Sequence, residues 1–254
     1  MDLNLDWLEA IQVNKSATER RAATLGTRRS VKKQHQVAWL LKAITLIDLT
    51  TLAGDDTELR VKRLCAKAKK PVRQDLLEAL GVADLQLTTG AVCVYHDMLS
   101  TAAAELKDTG IHLAAVSTGF PAGLTPFHLK VEEIKESVKA GADEIDIVIT
   151  RKHVFAENWQ ALYDEVKAYR KACGDAHLKT ILSTGEISTL RNVAKASMVC
   201  MMAGADFIKT STGKEAVNAT LPVSLTMIRQ IREYHERTGY QIGYNPAGGI
   251  SKAK

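Results

Sequence analysis

From about residue 40 onward, short runs rich in Ile, Val and Leu alternate with longer amphipathic segments, and this alternation constrains the fold more than any other feature of the chain. The strand candidates are Ile44–Thr50, Ala91–Tyr95, His112–Ser117, Glu144–Thr150, Leu178–Ser183, Phe207–Ser211 and Gln241–Asn245. Between them, apolar residues three and four apart predict helices over Thr57–Lys69, Asp97–Leu106, Pro126–Ala140, Asn158–Cys173, Ser188–Met202 and Pro222–Arg237. Asp55 or Asp56 is the expected cap of the first of these helices. Asn158, Ser188 and Pro222 read as start signals, and Gly141, Gly174, Gly204 and Gly239 as stop signals.

Strands that alternate with helices imply a parallel sheet with right-handed crossovers. At 254 residues the choice lies between a closed barrel and an open doubly wound sheet. No G-x-G-x-x-G follows the first strand, and Ser211-Thr212-Gly213-Lys214 lacks the upstream glycine of a P-loop. The reading is therefore α/β, a TIM (β/α)8-type barrel over residues 41–254 with seven strands present. A polar N-terminal helical extension over residues 1–40 is expected to pack against it.

One internal echo sharpens this picture. Ala140-Gly141-Ala142-Asp143-Glu144-Ile145-Asp146 parallels Ala203-Gly204-Ala205-Asp206-Phe207-Ile208-Lys209. Both mark a helix end turning into a strand, the fourth and the sixth. Alternate barrel strands contribute to the same interior layer, so Asp146 and Lys209 are predicted to stand at one height. With the aliphatic positions assigned to the helix side, Asp48, Thr50, Cys93, Asp146, Lys179, Lys209 and Asn245 face the interior. Buried charges must pair or shift their pKa values. A set of internal salt bridges would satisfy that demand, but charged groups converging from four strands point to a working site. A lysine in such a place can lose its proton and attack a carbonyl. Asp146 would relay protons, while Lys179 and Asp48 set the local charge.

Composition excludes several other classes. The net charge is +5 with no block of five like charges, so a nucleic-acid partner is not argued. Arg28, Arg29, Lys32 and Lys33 read as a solvated helix face. Cys65, Cys93, Cys173 and Cys200 form no CxxC, and the seven His make no HxxxH, so a structural zinc site is not expected, and the chain is read as needing no cofactor. No apolar run is long enough for a membrane helix, and the acidic N-terminus lacks a leader profile. A cytoplasmic location with free thiols is the expectation.

The strand-end loops supply a second feature. Thr212-Gly213-Lys214 follows the sixth strand and Pro246-Ala247-Gly248-Gly249 the seventh. Glycine amides form anion nests, and barrels bind phosphate near their last strands. Gly213, Lys214, Gly248 and Gly249 are thus candidate phosphate ligands. Gly119-Phe120-Pro121-Ala122-Gly123 reads as a rigid loop or a mere turn.

These segments resemble a known family. Phe207-Ile208-Lys209-Thr210-Ser211-Thr212-Gly213-Lys214 followed by Val217-Asn218-Ala219-Thr220 is similar to the Schiff-base strand of the deoxyribose-phosphate aldolases. Ile47–Leu52, Ala91–Tyr95, Glu144–Val148 and Leu178–Glu186 resemble their first, second, fourth and fifth strands, and the N-terminal extension resembles that of animal-type members. The resemblance implies a class I, metal-free aldolase. It would reversibly cleave 2-deoxy-D-ribose 5-phosphate to acetaldehyde and D-glyceraldehyde 3-phosphate in cytosolic nucleoside breakdown. It also implies Lys209 as the Schiff-base residue, Asp146 as the proton relay, and Gly213, Lys214, Gly248 and Gly249 as the phosphate holders.

Two departures accompany the match. Where the family has a second lysine in strand seven, this chain has Asn245, within Gly243-Tyr244-Asn245-Pro246-Ala247-Gly248-Gly249. An unperturbed lysine titrates near 10.4, so only about one in a thousand is neutral at pH 7. Loss of a neighbouring cation predicts a weaker enzyme. The family pattern also continues past Lys254 through an eighth strand and its flanking helices. Seven strands alone would leave open edges, which leaves a shortened isoform, a homo-oligomer or a poorly stable fold as readings. The alternative function is a non-catalytic homologue that binds a sugar phosphate or a protein partner.

Overall fold

In the computed structural model, residues 1–28, 31–248 and 250 are described. Four helices open the chain, α1 (Leu5–Ala10), α2 (Lys15–Ala23), α3 (Leu25–Arg28) and α4 (Lys33–Ile44). Strand β1 (Asp48–Thr50), helices α5 (Glu58–Lys69) and α6 (Gln74–Ala79), strand β2 (Ala91–Tyr95), helix α7 (Leu99–Leu106) and strand β3 (His112–Ser117) follow. Next come α8 (Phe127–Lys139), β4 (Glu144–Val148), α9 (Arg151–Phe155), α10 (Trp159–Cys173) and β5 (His177–Ile181). The described part closes with α11 (Leu190–Met202), β6 (Phe207–Lys209), α12 (Leu221–Thr238) and β7 (Gly243–Asn245). The strands form one sheet in chain order, β1 to β7. Pairings β1–β2, β2–β3, β5–β6 and β6–β7 are parallel. A doubly wound sheet reverses its strand order at a switch point. This sheet has no such reversal, which is the topology of a (β/α) barrel.

The chain divides into two compact units. One combines the N-terminal segment, Ser117–Lys135 and the chain from Asp146 onward. The other holds β1, β2, most of β3 and Glu136–Ile145.

Local chemistry sets the element boundaries. The side chains of Thr57, Asn158, Thr189 and Thr220 accept hydrogen bonds from the amides of Arg60, Ala161, Asn192 and Val223, capping α5, α10, α11 and α12. The expected cap of α5 by Asp55 or Asp56 is thus corrected to Thr57. Asp56 instead accepts from the Thr51 hydroxyl at 2.8 Å and the Ala53 amide at 2.9 Å, and Asp55 pairs with Arg60 at 3.0 Å. Ser188, expected to start α11, takes φ 68° one residue before the true cap. Gly174 and Gly239 end α10 and α12 at φ 56° and 77°. Strand β1 begins at Asp48 rather than Ile44, because α4 runs through Ile44. Helices α6 and α9 were not expected, since each is too short to display a period.

In the first unit the core centres on α11, buried at every residue from Val193 to Met202. Each fully buried Val or Met side chain there stabilises by roughly 1.5–3 kcal/mol. Helices α10 and α12 flank α11, and α1 lies against it with Leu8 buried.

The Gly-Ala-Asp echo has a physical cause. Asp143 donates its amide to the Leu113 carbonyl at 2.8 Å, and its carboxylate accepts from the Leu113 amide at 2.9 Å. Asp206 makes the same pair with Leu178, at 2.9 Å and 2.8 Å. Gly141 and Gly204 make the preceding turn at φ 99° and 101°. In each case the aspartate ties the start of its strand to the second residue of the preceding strand. The functional residue lies three positions further on.

Candidate active site

Asp146, Lys179 and Lys209 converge from the middle of β4 and β5 and the end of β6. Their relative exposures are 0%, 1% and 5%. The Lys209 ammonium donates to Asp146 Oδ2, and the Lys179 ammonium lies 3.6 Å from Asp146 Oδ1. One carboxylate thus bridges two lysines, at the common height that the repeated motif predicts. Burial pushes the Asp146 carboxyl up, but Lys179 and then Lys209 together outweigh it, holding it below the ordinary carboxylate value. The alternation holds on the helix side too. Leu178, Thr180 and Ile208 are fully buried there, and the Tyr244 hydroxyl reaches Ser224 on α12 at 2.6 Å.

Asn245 is the register partner of Lys209 across the β6–β7 pairing. Paired residues of neighbouring parallel strands present their side chains to the same face. The side chain of Asn245 therefore emerges on the same face as that of Lys209, in the strand position where the resemblance puts a second lysine.

The loops beyond β6 and β7 are stitched together. The Ser211 hydroxyl donates to the Ala247 carbonyl at 2.8 Å, the Ala247 amide donates to the Thr210 hydroxyl at 2.9 Å, and the Thr210 amide donates to the Asn245 carbonyl at 3.1 Å. Gly213 and Gly248 both take φ 78°, and a Cβ built on Gly213 would lie 3.9 Å from Gly248 Cα. Two of the candidate phosphate glycines are therefore neighbours, with Lys214 exposed beside them. A Cβ at Gly248 would come within 2.5 Å of the Asn218 side chain. Gly248→Ala is expected to destabilise by roughly 1–2 kcal/mol, from the left-handed φ and this collision. A thermal denaturation comparison with wild type checks it. Gly249 lies outside the described residues.

The remaining candidates belong to the other unit. Asp48 is half-buried and Cys93 is fully buried in β2. Thr50, expected to face inward, is exposed, and its hydroxyl turns back to the Asp48 carbonyl at 2.8 Å.

Several residues around the trio escaped sequence reasoning. Glu165 of α10 accepts from the Thr150 amide at 3.0 Å and from the Tyr169 hydroxyl at 2.9 Å, anchoring the chain just past β4. Arg151 pairs with Glu186 at 2.7 Å and donates to the Ala122 carbonyl at 3.1 Å, tying three strand-end loops together. Glu215 accepts from the Thr212 amide at 2.8 Å and the Gly185 amide at 3.2 Å. Glu215 lies in a polar loop, where no periodic pattern marks a residue as structural.

The profile of the DeoC/LacD family aldolases matches residues 42–254. The chain belongs to that family. It is 57% identical over 255 residues to the deoxyribose-phosphate aldolase of Homo sapiens, a match covering 100% of this chain and 80% of the human protein. The Mus musculus deoxyribose-phosphate aldolase matches at 57% with the same coverage. Among solved structures, the aldolase QR15 superposes with a TM-score of 0.64 at 26% identity, covering 82% of this chain and 81% of that one. The tetrameric deoxyribose phosphate aldolase of Aeropyrum pernix superposes at 0.65 and 23% identity, covering 83% and 79%. The latter likeness speaks for the fold of this DeoC/LacD aldolase. No helix among the described residues is long and apolar enough to cross a membrane.

Proposed function

We propose that the chain is a Schiff-base aldolase that reversibly cleaves 2-deoxy-D-ribose 5-phosphate to acetaldehyde and D-glyceraldehyde 3-phosphate. The observation that carries this reading is the buried Lys209–Asp146–Lys179 trio. Fully ionised, the trio has one more positive charge than negative. Burial penalises that excess and favours release of one ammonium proton.

The neutral Lys209 amine attacks the C1 aldehyde to give a carbinolamine, which loses water to become an iminium. The iminium accepts the electron pair of the breaking C2–C3 bond and becomes an enamine. The C3 hydroxyl gives up its proton to the base and leaves as the aldehyde of glyceraldehyde 3-phosphate. Protonation of the enamine at C2 and hydrolysis then free acetaldehyde and regenerate the amine. Asp146, ionised and in contact with Nζ of Lys209, serves as the proton relay. Lys179 keeps that carboxyl charged. Gly213, Lys214 and Gly248 take the phosphate, so the substrate is a sugar phosphate, and the iminium supplies the electron sink that a metal ion would otherwise provide. The setting we infer is the cytoplasm, with self-association of the kind seen in the Aeropyrum pernix protein.

The test is borohydride reduction in the presence of 2-deoxyribose 5-phosphate, followed by peptide mass spectrometry. A reduced two-carbon adduct on Lys209 is expected. A folded protein that turns the substrate over without any such adduct would overturn the mechanism.

Asn245 separates an active enzyme from a weakened one. Asn245→Lys places a second cation beside Lys209, which favours the neutral amine. The expected result is a rise in kcat of about tenfold or more, with the pH optimum moved to lower pH. Steady-state kinetics between pH 6 and 9 check it. An unchanged kcat would mean that Asn245 is not what limits the rate.

A further inference from the structure

Glu215 follows Lys214 directly, in the loop expected to take a phosphate. A carboxylate there looks wrong, because it would repel the anion. The geometry resolves the conflict. Oε1 accepts from the Thr212 amide at 2.8 Å and from the Thr212 hydroxyl at 3.2 Å. Oε2 accepts from the Gly185 amide, in the loop after β5, at 3.2 Å. The same Thr212 hydroxyl accepts from the Lys214 amide at 3.1 Å, and the Glu215 carbonyl accepts from the Asn218 side chain at 3.1 Å. Both carboxylate oxygens are thus committed to donors within the protein. The packing leaves no slack, since a Cβ added to Gly185 would lie 2.0 Å from the Val217 carbonyl oxygen. Only glycine permits that approach of one loop to the other.

We propose that Glu215 is a positioning residue, which clamps the loop after β6 to the loop after β5 and so presents Gly213 and Lys214 to the phosphate. The proposal rests on the reading of Gly213 and Lys214 as phosphate ligands. Charge-assisted hydrogen bonds to backbone amides are among the stronger ones and fix loop shape. Their loss lets Lys214 drift, and the penalty falls on the phosphate group rather than on the reacting carbons. Glutamine is a poor substitute, because its NH2 must face either the Thr212 amide or the Gly185 amide, which are both donors.

The test compares wild type, Glu215→Ala, Glu215→Gln, Thr212→Val and Lys214→Met in the full chain. Each is assayed with 2-deoxyribose 5-phosphate and with unphosphorylated 2-deoxyribose, and each is titrated with inorganic phosphate in a thermal-shift experiment. For Glu215→Ala, KM for the phosphorylated sugar should rise about tenfold with kcat within about threefold, in line with the cost of a misplaced binding group. The kcat/KM for unphosphorylated 2-deoxyribose should hold, and the stabilisation by inorganic phosphate should weaken. Glu215→Gln and Thr212→Val should show the same selectivity loss to a smaller degree, and they carry the test if the alanine variant does not fold. Equal losses on both sugars, or a phosphate response unchanged in every Glu215 and Thr212 variant while Lys214→Met abolishes it, would overturn the positioning role. If Lys214→Met leaves both the sugar preference and the phosphate response intact, the underlying phosphate-site reading fails instead.

Discussion

Lys209→Met is expected to remove aldol cleavage, lowering kcat by at least about 10⁴-fold, because it removes the amine that forms the iminium. Methionine matches the length of the lysine stem and fills the same space. It also leaves Asp146 paired with Lys179, 3.6 Å away. Stability should therefore change by no more than about 1.5 kcal/mol, since exchanging a buried ion for an apolar group of similar volume is often neutral. Loss of turnover in a folded protein, together with loss of the borohydride adduct, is the expected signature. Retained turnover would move the Schiff base to another residue, with Lys179 the first to examine.

Asp146→Asn should be the most damaging change to stability in the site. The carboxylate is fully buried between two ammoniums. Removing its charge leaves two buried cations without that counter-charge, at a cost of about 3 kcal/mol even after one of them sheds its proton. Loss of the relay should lower kcat by about 10²–10⁴-fold. Denaturant unfolding and kinetics well below the melting temperature separate the two effects. The pH dependence follows from the direction of the shift. The folded carboxyl titrates below its ordinary value, so its contribution is fully present above the unfolded pKa near 3.9. That contribution is lost as pH falls from there through the folded value. The stability gap between wild type and Asp146→Asn should be constant from about pH 5 upward and should shrink below about pH 4.

Much of this architecture is legible in the residues. Strands β2 and β3 match their expected bounds, because a short apolar run flanked by Gly90 or Gly110 has no competing period. The pairing of Asp146 with Lys209 was readable because one motif occurs twice. The ends of β1 and β4 were not, because apolar residues such as Ile44 and Ile149 continue past the ladder into a helix or loop. Caps were misplaced by one or two residues at Asp55, Asp56 and Ser188, where several good capping residues compete within one turn. The clamps made by Glu165, Arg151 and Glu215 were invisible for a different reason. Each joins segments remote in sequence, and nothing local in a charged residue tells which loop it will hold.

The aspartates at the bottom of β4 and β6 have a consequence for how much change these strands can absorb. Asp206 grips Leu178 on one side, and the third residue beyond it is the amine that the chemistry requires. Side chains alternate along a strand, so the parity of that count decides whether the amine enters the interior or is buried against the helices. A single inserted residue between Asp206 and Lys209 would leave every catalytic group in the sequence and point the essential one away from its substrate.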